Sequence, residues 1–539
     1  MELTEHLPLE LKNYTIANVS RDVYLIIEQP NISTCLLFLN SFKSKKLKPI
    51  VYHFPFATVT MAHILVFPFP SSGHIIPLLD LTQSLLSRGL IITVAITTNN
   101  LPLLNPLLSS TQQLQHLLLP SPSINPSATA PSKNRLFSIL RFMRETHYPI
   151  LLNWFQSHTS PPVAIISDFF LGWTYHLASQ LGLPRIVFSP SGAFAFSVGA
   201  STWSDQPQND NPENHDFVVS FPNIPNSPSY PWWQISHLYR MPKDSDWEFY
   251  RDSNLANMAS WGVIFNSFTE LERVYIDHMK NEFGNVRVWA VGPALPSDDD
   301  LMGPAANRGG TSSVPCHDVL TWLDSHHKDH SVVYVAFGSR AMLTCEQMNE
   351  LAAGLEKSGV DFILCVRQQG DYGILPDGFE DRVAGRGFII KGWAPQMAIL
   401  RHRAIGAFLT HCGWNSVLEG ISAGVVMLTW PMGADQFTNA QLLVGELEVG
   451  MRVGEATQKI PESGELARIL SESVEENRRE RVRAKKLKEA ARSAVKGGSS
   501  EADLDRLIKR LNELKLENGG GLMISSNGVK IEKYDTHIS

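Results

Sequence analysis

The chain has 539 residues, 43% of them hydrophobic and 18% charged, with a formal net charge of −7. These proportions belong to a globular α/β protein too long for one ordinary core, so two domains are expected. The acidic balance argues against a nucleic-acid surface, and the apolar runs are too short to span a membrane. Five scattered cysteines (Cys35, Cys316, Cys345, Cys365, Cys412) lack CxxC spacing, which argues against a disulfide framework or zinc site and for a reducing compartment.

Residues 1–60 lack the basic start, apolar core and small-residue cleavage site of a secretory signal, and read as an atypical extension, non-native or disordered. The sequons at Asn13, Asn18 and Asn31 are taken as chance matches. After Met61 the pattern turns regular: a strand at Ile64–Phe67, a Pro/Ser/Gly turn, a helix over Ile75–Ser87 and a strand at Ile91–Ile96. This is a βαβ unit with a right-handed crossover. Its turn has a single glycine and no GxGxxG, so dinucleotide binding is weakly supported.

The turn carries His74 at the mouth of the sheet and the start of a helix, where the dipole disfavours imidazolium and favours a neutral base. The residues alone favour a capping or packed histidine over a base. The next apolar run, Val163–Ser167, ends at Asp168, which suits either a partner for His74 or a helix N-cap. Phe169, Phe170, Trp173, Phe188, Phe194, Phe196, Trp232 and Trp233 follow outside simple periodicity. Singly each suits a core; together, beside a base, they suit a flat apolar acceptor such as a phenol.

A strand at Val288–Val291 ends in Gly292-Pro293, and a polar stretch runs to Pro315. Asp298-Asp299-Asp300 within it reads as a solvated acidic loop rather than a DxD metal motif. A second domain opens with a helix near Val319–Asp324, the strand Ser331–Phe337 and the turn Gly338-Ser339. The densest segment is Trp393–Gln436. Within it the buried strand Ile405–Leu409 leads through Thr410-His411-Cys412-Gly413 into a helix opening at Trp414-Asn415-Ser416. Free N–H groups and the helix dipole make that start a diphosphate site, with His411, Asn415 and Ser416 as added donors. Glu419 lies one turn on, placed for ribose hydroxyls, and Asp435 and Gln436 follow the strand Val425–Trp430. The basic run Arg478–Lys488 reads as a solvated helix face. Leu504, Leu507, Ile508, Leu511 and Leu514 keep helical spacing, and Gly519-Gly520-Gly521 opens a polar tail expected to be disordered.

The segment Trp393–Gln436 resembles the signature box of plant family 1 UDP-glycosyltransferases and fills it without insertion, and the likeness extends roughly over residues 61–516. It implies an α/β fold of the GT-B type, two facing Rossmann-like domains with a cleft between them. The organisation would then be an extension (1–60), an acceptor domain (61–296), a linker (297–315), a UDP-sugar domain (316–500), a helix crossing back onto the first domain (501–517) and a tail (518–539). By the same resemblance Trp393 with Ala394 holds the uracil, Gln396 and Glu419 the ribose, and Ser339, His411, Asn415 and Ser416 the diphosphate. Trp414, Asp435 and Gln436 would face the sugar, with Ser189-Pro190-Ser191 lining it from the other side. Gly73-His74 with Pro77 matches the family's catalytic histidine turn, and Asp168 its partner. One departure is Val426, where the family usually has proline; local rigidity should change more than ligand chemistry.

The implied reaction is an inverting, metal-independent transfer of glucose from UDP-glucose to a hydroxyl or carboxyl of a small phenolic or flavonoid-like acceptor, without a cofactor. The alternatives are a UDP-sugar-binding protein without catalysis, or transfer of rhamnose, xylose or galactose. Gln436 suggests glucose because the family's galactosyltransferases usually carry histidine there. Phe221-Pro222-Asn223-Ile224-Pro225 and Tyr230-Pro231-Trp232-Trp233 look closest to the flavonol 7-O- and benzoate-glucosyltransferase branch. A cytoplasmic monomer with no nucleic-acid partner is expected.

Overall fold

Near-continuous runs of Val, Ile, Leu and Phe, each ending in a polar turn, are what strands need when helices cover both faces of a parallel sheet. The computed structural model contains two such sheets. It describes residues 61–122, 135–211, 213–284, 286–296 and 312–518 and, among the first 60, only four short backbone strands. These pair as two antiparallel couples, Tyr14–Val19 with Asp22–Ile27 and Cys35–Leu37 with Ile50–Tyr52. The side chains of the three sequons, the acidic triplet 298–300 and the tail beyond 518 lie outside the described residues. Ala62–Lys515 forms one compact unit.

The first sheet comprises β1 (His63–Phe67), β2 (Ile91–Thr97), β3 (Leu114–Leu119), β4 (Ala164–Asp168), β5 (Arg185–Ser189), β6 (Gly262–Phe265) and β7 (Val288–Ala290). Its order is β3-β2-β1-β4-β5-β6-β7, parallel throughout. The second comprises β8 (Val332–Ala336), β9 (Asp361–Val366), β10 (Gly387–Lys391), β11 (Ile405–Thr410), β12 (Val426–Thr429) and β13 (Gly450–Arg452), in the order β10-β9-β8-β11-β12-β13, also parallel. Both are doubly wound, with the strand order reversing between β1 and β4 and between β8 and β11. Ligands bind at such switch points, outside the carboxyl ends of the strands. The two domains therefore each offer one crevice, and the α/β GT-B architecture follows from this pair of sheets.

Helix α1 spans Ser72–Ser87, beginning three residues before the first apolar position that sequence periodicity marks. Its first turn is polar, so periodicity could not see it, and His74 consequently sits within the helix's opening turn. Later helices that matter here are α2 (Ala193–Asp205), α3 (Ser245–Met258), α4 (Thr269–Phe283), α5 (Trp414–Ala423), α6 (Arg479–Ala494) and α7 (Ser499–Asn518). In α7, Leu504, Leu507, Ile508, Leu511 and Leu514 are buried. The helix meets the first domain through polar contacts as well: Asn512 Oδ1 accepts from Ala62 N–H at 2.9 Å, Asp503 Oδ2 from Ala290 N–H at 2.8 Å, and Arg88 reaches Asp505 at 3.0 Å.

The basic run in α6 is not wholly a solvated face. Arg481 is buried, and its guanidinium donates to the carbonyls of Gly406, Ser473 and Glu475. A charge pattern cannot distinguish an exposed arginine from one that ties off buried carbonyls, because both leave the helix amphipathic.

Candidate active site

Both switch points open into one cavity of about 490 Å³, bordered by His74 and Phe170 from the first domain and by His411, Asn415, Glu419 and Gln436 from the second. On the first side, the turn after β1 brings His74 to the end of β4. His74 Nδ1 lies 2.9 Å from Asp168 Oδ2, with the carboxylate fully buried and the imidazole 15% exposed toward the cavity. The carboxylate can only accept, so Nδ1 carries the proton and the Nε2 lone pair is left for another partner. The ring lies nearly parallel to Phe170 (4.7 Å, 22°) and Phe169 (5.5 Å, 22°), and Phe69 meets it edge-on at 5.4 Å. Asp168 Oδ1 also accepts the N–H of Phe170 at 2.9 Å. The two sequence readings of Asp168, cap and histidine partner, are therefore both realised, one oxygen each.

The aromatic set divides. Phe169, Phe170 and Phe196 line the cavity, joined by Trp203 and Tyr250, whereas Trp173, Phe188 and Phe194 are buried in the core. Trp232 and Trp233 lie outside the lining, with Trp233 packed edge-on against Phe437 at 5.3 Å. Place in the fold separates these groups, and spacing along the chain does not report it. Trp203 and Tyr250, in α2 and α3, were not singled out from the sequence, because position along a helix does not show what stands opposite each face.

On the second side, the start of α5 faces the cavity. The first N–H groups of a helix have no intrahelical acceptor, so those of Trp414, Asn415 and Ser416 are available to an anion. Beside them the imidazole of His411 is partly accessible, while its Nδ1 is sealed and has no hydrogen-bond partner among the described residues. Burial pushes its pKa down to about 4, so the ring is neutral near pH 7. Gly338, at φ +73°, lies so close that an added Cβ would stand 2.4 Å from His411 Nε2. Ser339, next in the turn, is exposed, and its carbonyl accepts from Arg367.

Gln396, Ser416 and Glu419 form one polar group. Gln396 Nε2 donates to Glu419 Oε2 at 2.6 Å and to Ser416 Oγ at 3.1 Å, while the buried Tyr334 hydroxyl donates to Gln396 Oε1 at 3.2 Å. Trp393 is half-buried, its N–H donating to Ser313 Oγ and its carbonyl accepting the Ser313 N–H, both at 2.8 Å. Ala394 is buried behind it. Gln436 Oε1 accepts from the N–H groups of Met432 (2.8 Å) and Gly433 (3.0 Å), which orients the amide with Nε2 as its free donor end.

Three signature-box residues also bridge the domains. Trp414 Nε1 donates to Asn266 O at 2.7 Å, Asn415 Nδ2 to Gly73 O at 3.0 Å, and Asp435 Oδ2 accepts from Ser191 Oγ at 2.6 Å. The indole N–H of Trp414 is thus committed to the other domain rather than free for a sugar. Asn415 grips the same turn that presents His74, so the donor helix and the base turn are held in register directly.

The pattern of the family described as UDP-glucoronosyl and UDP-glucosyl transferase matches residues 296–459. The chain is 50% identical over 470 residues to UDP-glycosyltransferase 89B2 of Stevia rebaudiana, covering 84% of this chain and 98% of that protein. It is 49% identical over 474 residues to flavonol 3-O-glucosyltransferase UGT89B1 of Arabidopsis thaliana, covering 85% and 98%. Among solved structures, Arabidopsis thaliana UGT89C1 complexed with UDP-L-rhamnose superposes with a TM-score of 0.68 at 37% identity, over 84% of this chain and 99% of that one. The same enzyme complexed with quercetin gives a TM-score of 0.67 at 36% identity, over 84% and 100%. The protein belongs to the plant family 1 UDP-glycosyltransferases and is an enzyme close to the flavonol glycosyltransferases.

Proposed function

We propose that the protein transfers glucose from UDP-glucose to a hydroxyl of a flavonoid-like phenol, with inversion and without a metal. The observation that carries this reading is the ordered His74–Asp168 pair opening into the same cavity as the α5 start. His74 Nε2 takes the proton of the acceptor hydroxyl as that oxygen attacks the anomeric carbon in line. Asp168 fixes the tautomer and stabilises the imidazolium that forms. UDP leaves from the opposite face, giving a β-glucoside from an α-linked donor. The α5 N–H groups with Asn415, Ser416 and neutral His411 receive the diphosphate charge, a role preorganised dipoles fill well.

The ring of Trp393 with Ala394 suits the uracil, Gln396 and Glu419 the ribose hydroxyls, and Ser339 the phosphate edge. Asp435 and the Nε2 of Gln436 would hold the sugar. Glucose is favoured by Gln436 and by the flavonol glucosyltransferase among the relatives; the flavonoid class is favoured by that relative, by the quercetin complex and by the Phe169–Phe170 wall.

The test is a screen of flavonols and simple phenols with UDP-glucose competed against UDP-rhamnose, UDP-xylose and UDP-galactose, reading product mass and linkage position. Preference for a donor other than glucose overturns the sugar assignment. A His74→Ala protein that glycosylates as fast as the parent overturns the mechanism.

A further inference from the structure

Behind the dyad lies a charge that the chemistry above does not use. Arg185, the first residue of β5, is 1% exposed and has no carboxylate in salt-bridge contact among the described residues. Its Nε donates to Ser167 Oγ and Thr174 Oγ1, both at 2.9 Å, and its Nη1 to Asn257 Oδ1 at 2.9 Å and Ser260 Oγ at 2.7 Å. Its Nη2 donates to the main-chain carbonyl of Asp168 at 3.2 Å. A buried cation hydrogen-bonded only to neutral oxygens is costly to keep charged, and burial pushes this guanidinium down to about 9. The charge that opposes the shift is the carboxylate of Asp168.

We propose that Arg185 is a positioning residue for glycosyl transfer, its buried positive charge set behind the His74–Asp168 pair and its hydrogen bond holding that aspartate at the strand end. The Asp168 carboxylate is itself fully buried and, among the described residues, accepts two hydrogen bonds, from His74 and from the Phe170 N–H. The titratable and charged groups around it are His74 from α1, Arg185 from β5 and Tyr250 from α3; burial raises the Tyr250 phenol, so that group stays neutral. Arg185 therefore has two effects of one sign. It favours the anionic form of a neighbouring carboxylate, and it opposes a second positive charge on a neighbouring imidazole. Asn257, one acceptor of Arg185, also donates to Phe169 O at 2.9 Å, so the same network anchors the turn that carries the stacking ring.

This inference rests on the His74–Asp168 reading above. The experiment is the pH profile of kcat/KM for a phenolic acceptor at saturating UDP-sugar. Arg185→Gln removes the charge and should move the acid limb up by about one pH unit, with rate falling about ten-fold at the foot of the parent's limb. Asn257→Asp keeps the arginine packed while laying a carboxylate on Nη1, and should move the limb the same way. Arg185→Lys keeps the charge and should leave the limb near the parent's. KM for the UDP-sugar should hold in all three, because the donor groups belong to the other domain. An acid limb that stays in place in the neutralised proteins, with only the melting temperature lowered, overturns the proposal; if Arg185→Gln does not fold, Asn257→Asp decides it. His74→Ala measured alongside separates the two failures. Full activity there refutes the dyad itself, whereas lost activity there with an unmoved limb refutes Arg185 alone.

Discussion

Asp168→Asn tests the dyad with the least disturbance of the fold. The carboxamide is isosteric, and its oxygen can keep the Oδ1 role of accepting the Phe170 N–H, observed at 2.9 Å. The amide nitrogen then faces His74 Nδ1, 2.9 Å from the atom it replaces. An N–H donor there demands a lone pair on Nδ1, so the imidazole must carry its proton on Nε2, the atom that has to accept the substrate's proton. A tautomer inverted in this way costs up to about 10⁴ in turnover, equivalent to about 5.4 kcal/mol of transition-state stabilisation. Ground-state binding of UDP-glucose should be unchanged, because Asp168 belongs to the first domain and the donor groups to the second. The assay is steady-state product formation with a good phenolic acceptor, giving kcat and both KM values, with melting temperature as a control for folding. If the Asp168→Asn protein keeps more than about a tenth of the parent kcat, below even the weakest general-base contribution of roughly 10², proton transfer through this pair is refuted.

Two further outcomes follow from the donor side. Gly338→Ala places a Cβ 2.4 Å from His411 Nε2 at a positive φ of +73°, so it should weaken UDP binding by at least ten-fold in a calorimetric titration while lowering the melting temperature; parent-like UDP affinity would show that the close approach is unimportant. His411 is held near 4 in the folded chain against 6.5 when unfolded. The unfolded state therefore binds the extra proton, and this group withdraws stability as pH falls from 6.5 toward 4. Denaturant midpoints should drop across that window, and His411→Gln should flatten the slope; an unchanged slope would remove His411 as its source.

Some of this protein was written locally along the chain. Alternation of buried runs with helical stretches was enough for an α/β class and a βαβ start, since a parallel strand covered on both faces has no way to hide its composition. The two facing domains came from the resemblance of the signature segment. The signature segment could be read because its donors lie within one strand–turn–helix unit, where sequence spacing and spatial spacing are nearly the same. His411, Asn415 and Glu419 line one cavity for that reason, with Ser416 tied to Glu419 through Gln396. The base turn was half legible: His74 and Asp168 are 94 positions apart, and only adjacency of β1 and β4 at the switch point brings them to 2.9 Å.

What only tertiary structure decided is which groups are already spent. Trp414 gives its indole N–H to Asn266, Asp435 gives one oxygen to Ser191, and Asn415 holds the carbonyl beside His74, each across the domain boundary. Arg185 and Arg481 are buried cations where a charge count sees solvated ones, and Trp203 and Tyr250 line the cavity from α2 and α3. Periodicity records which face of an element is apolar. It carries no information on what stands opposite that face, and the partner is what turns an aspartate, an arginine or a tryptophan into part of a site.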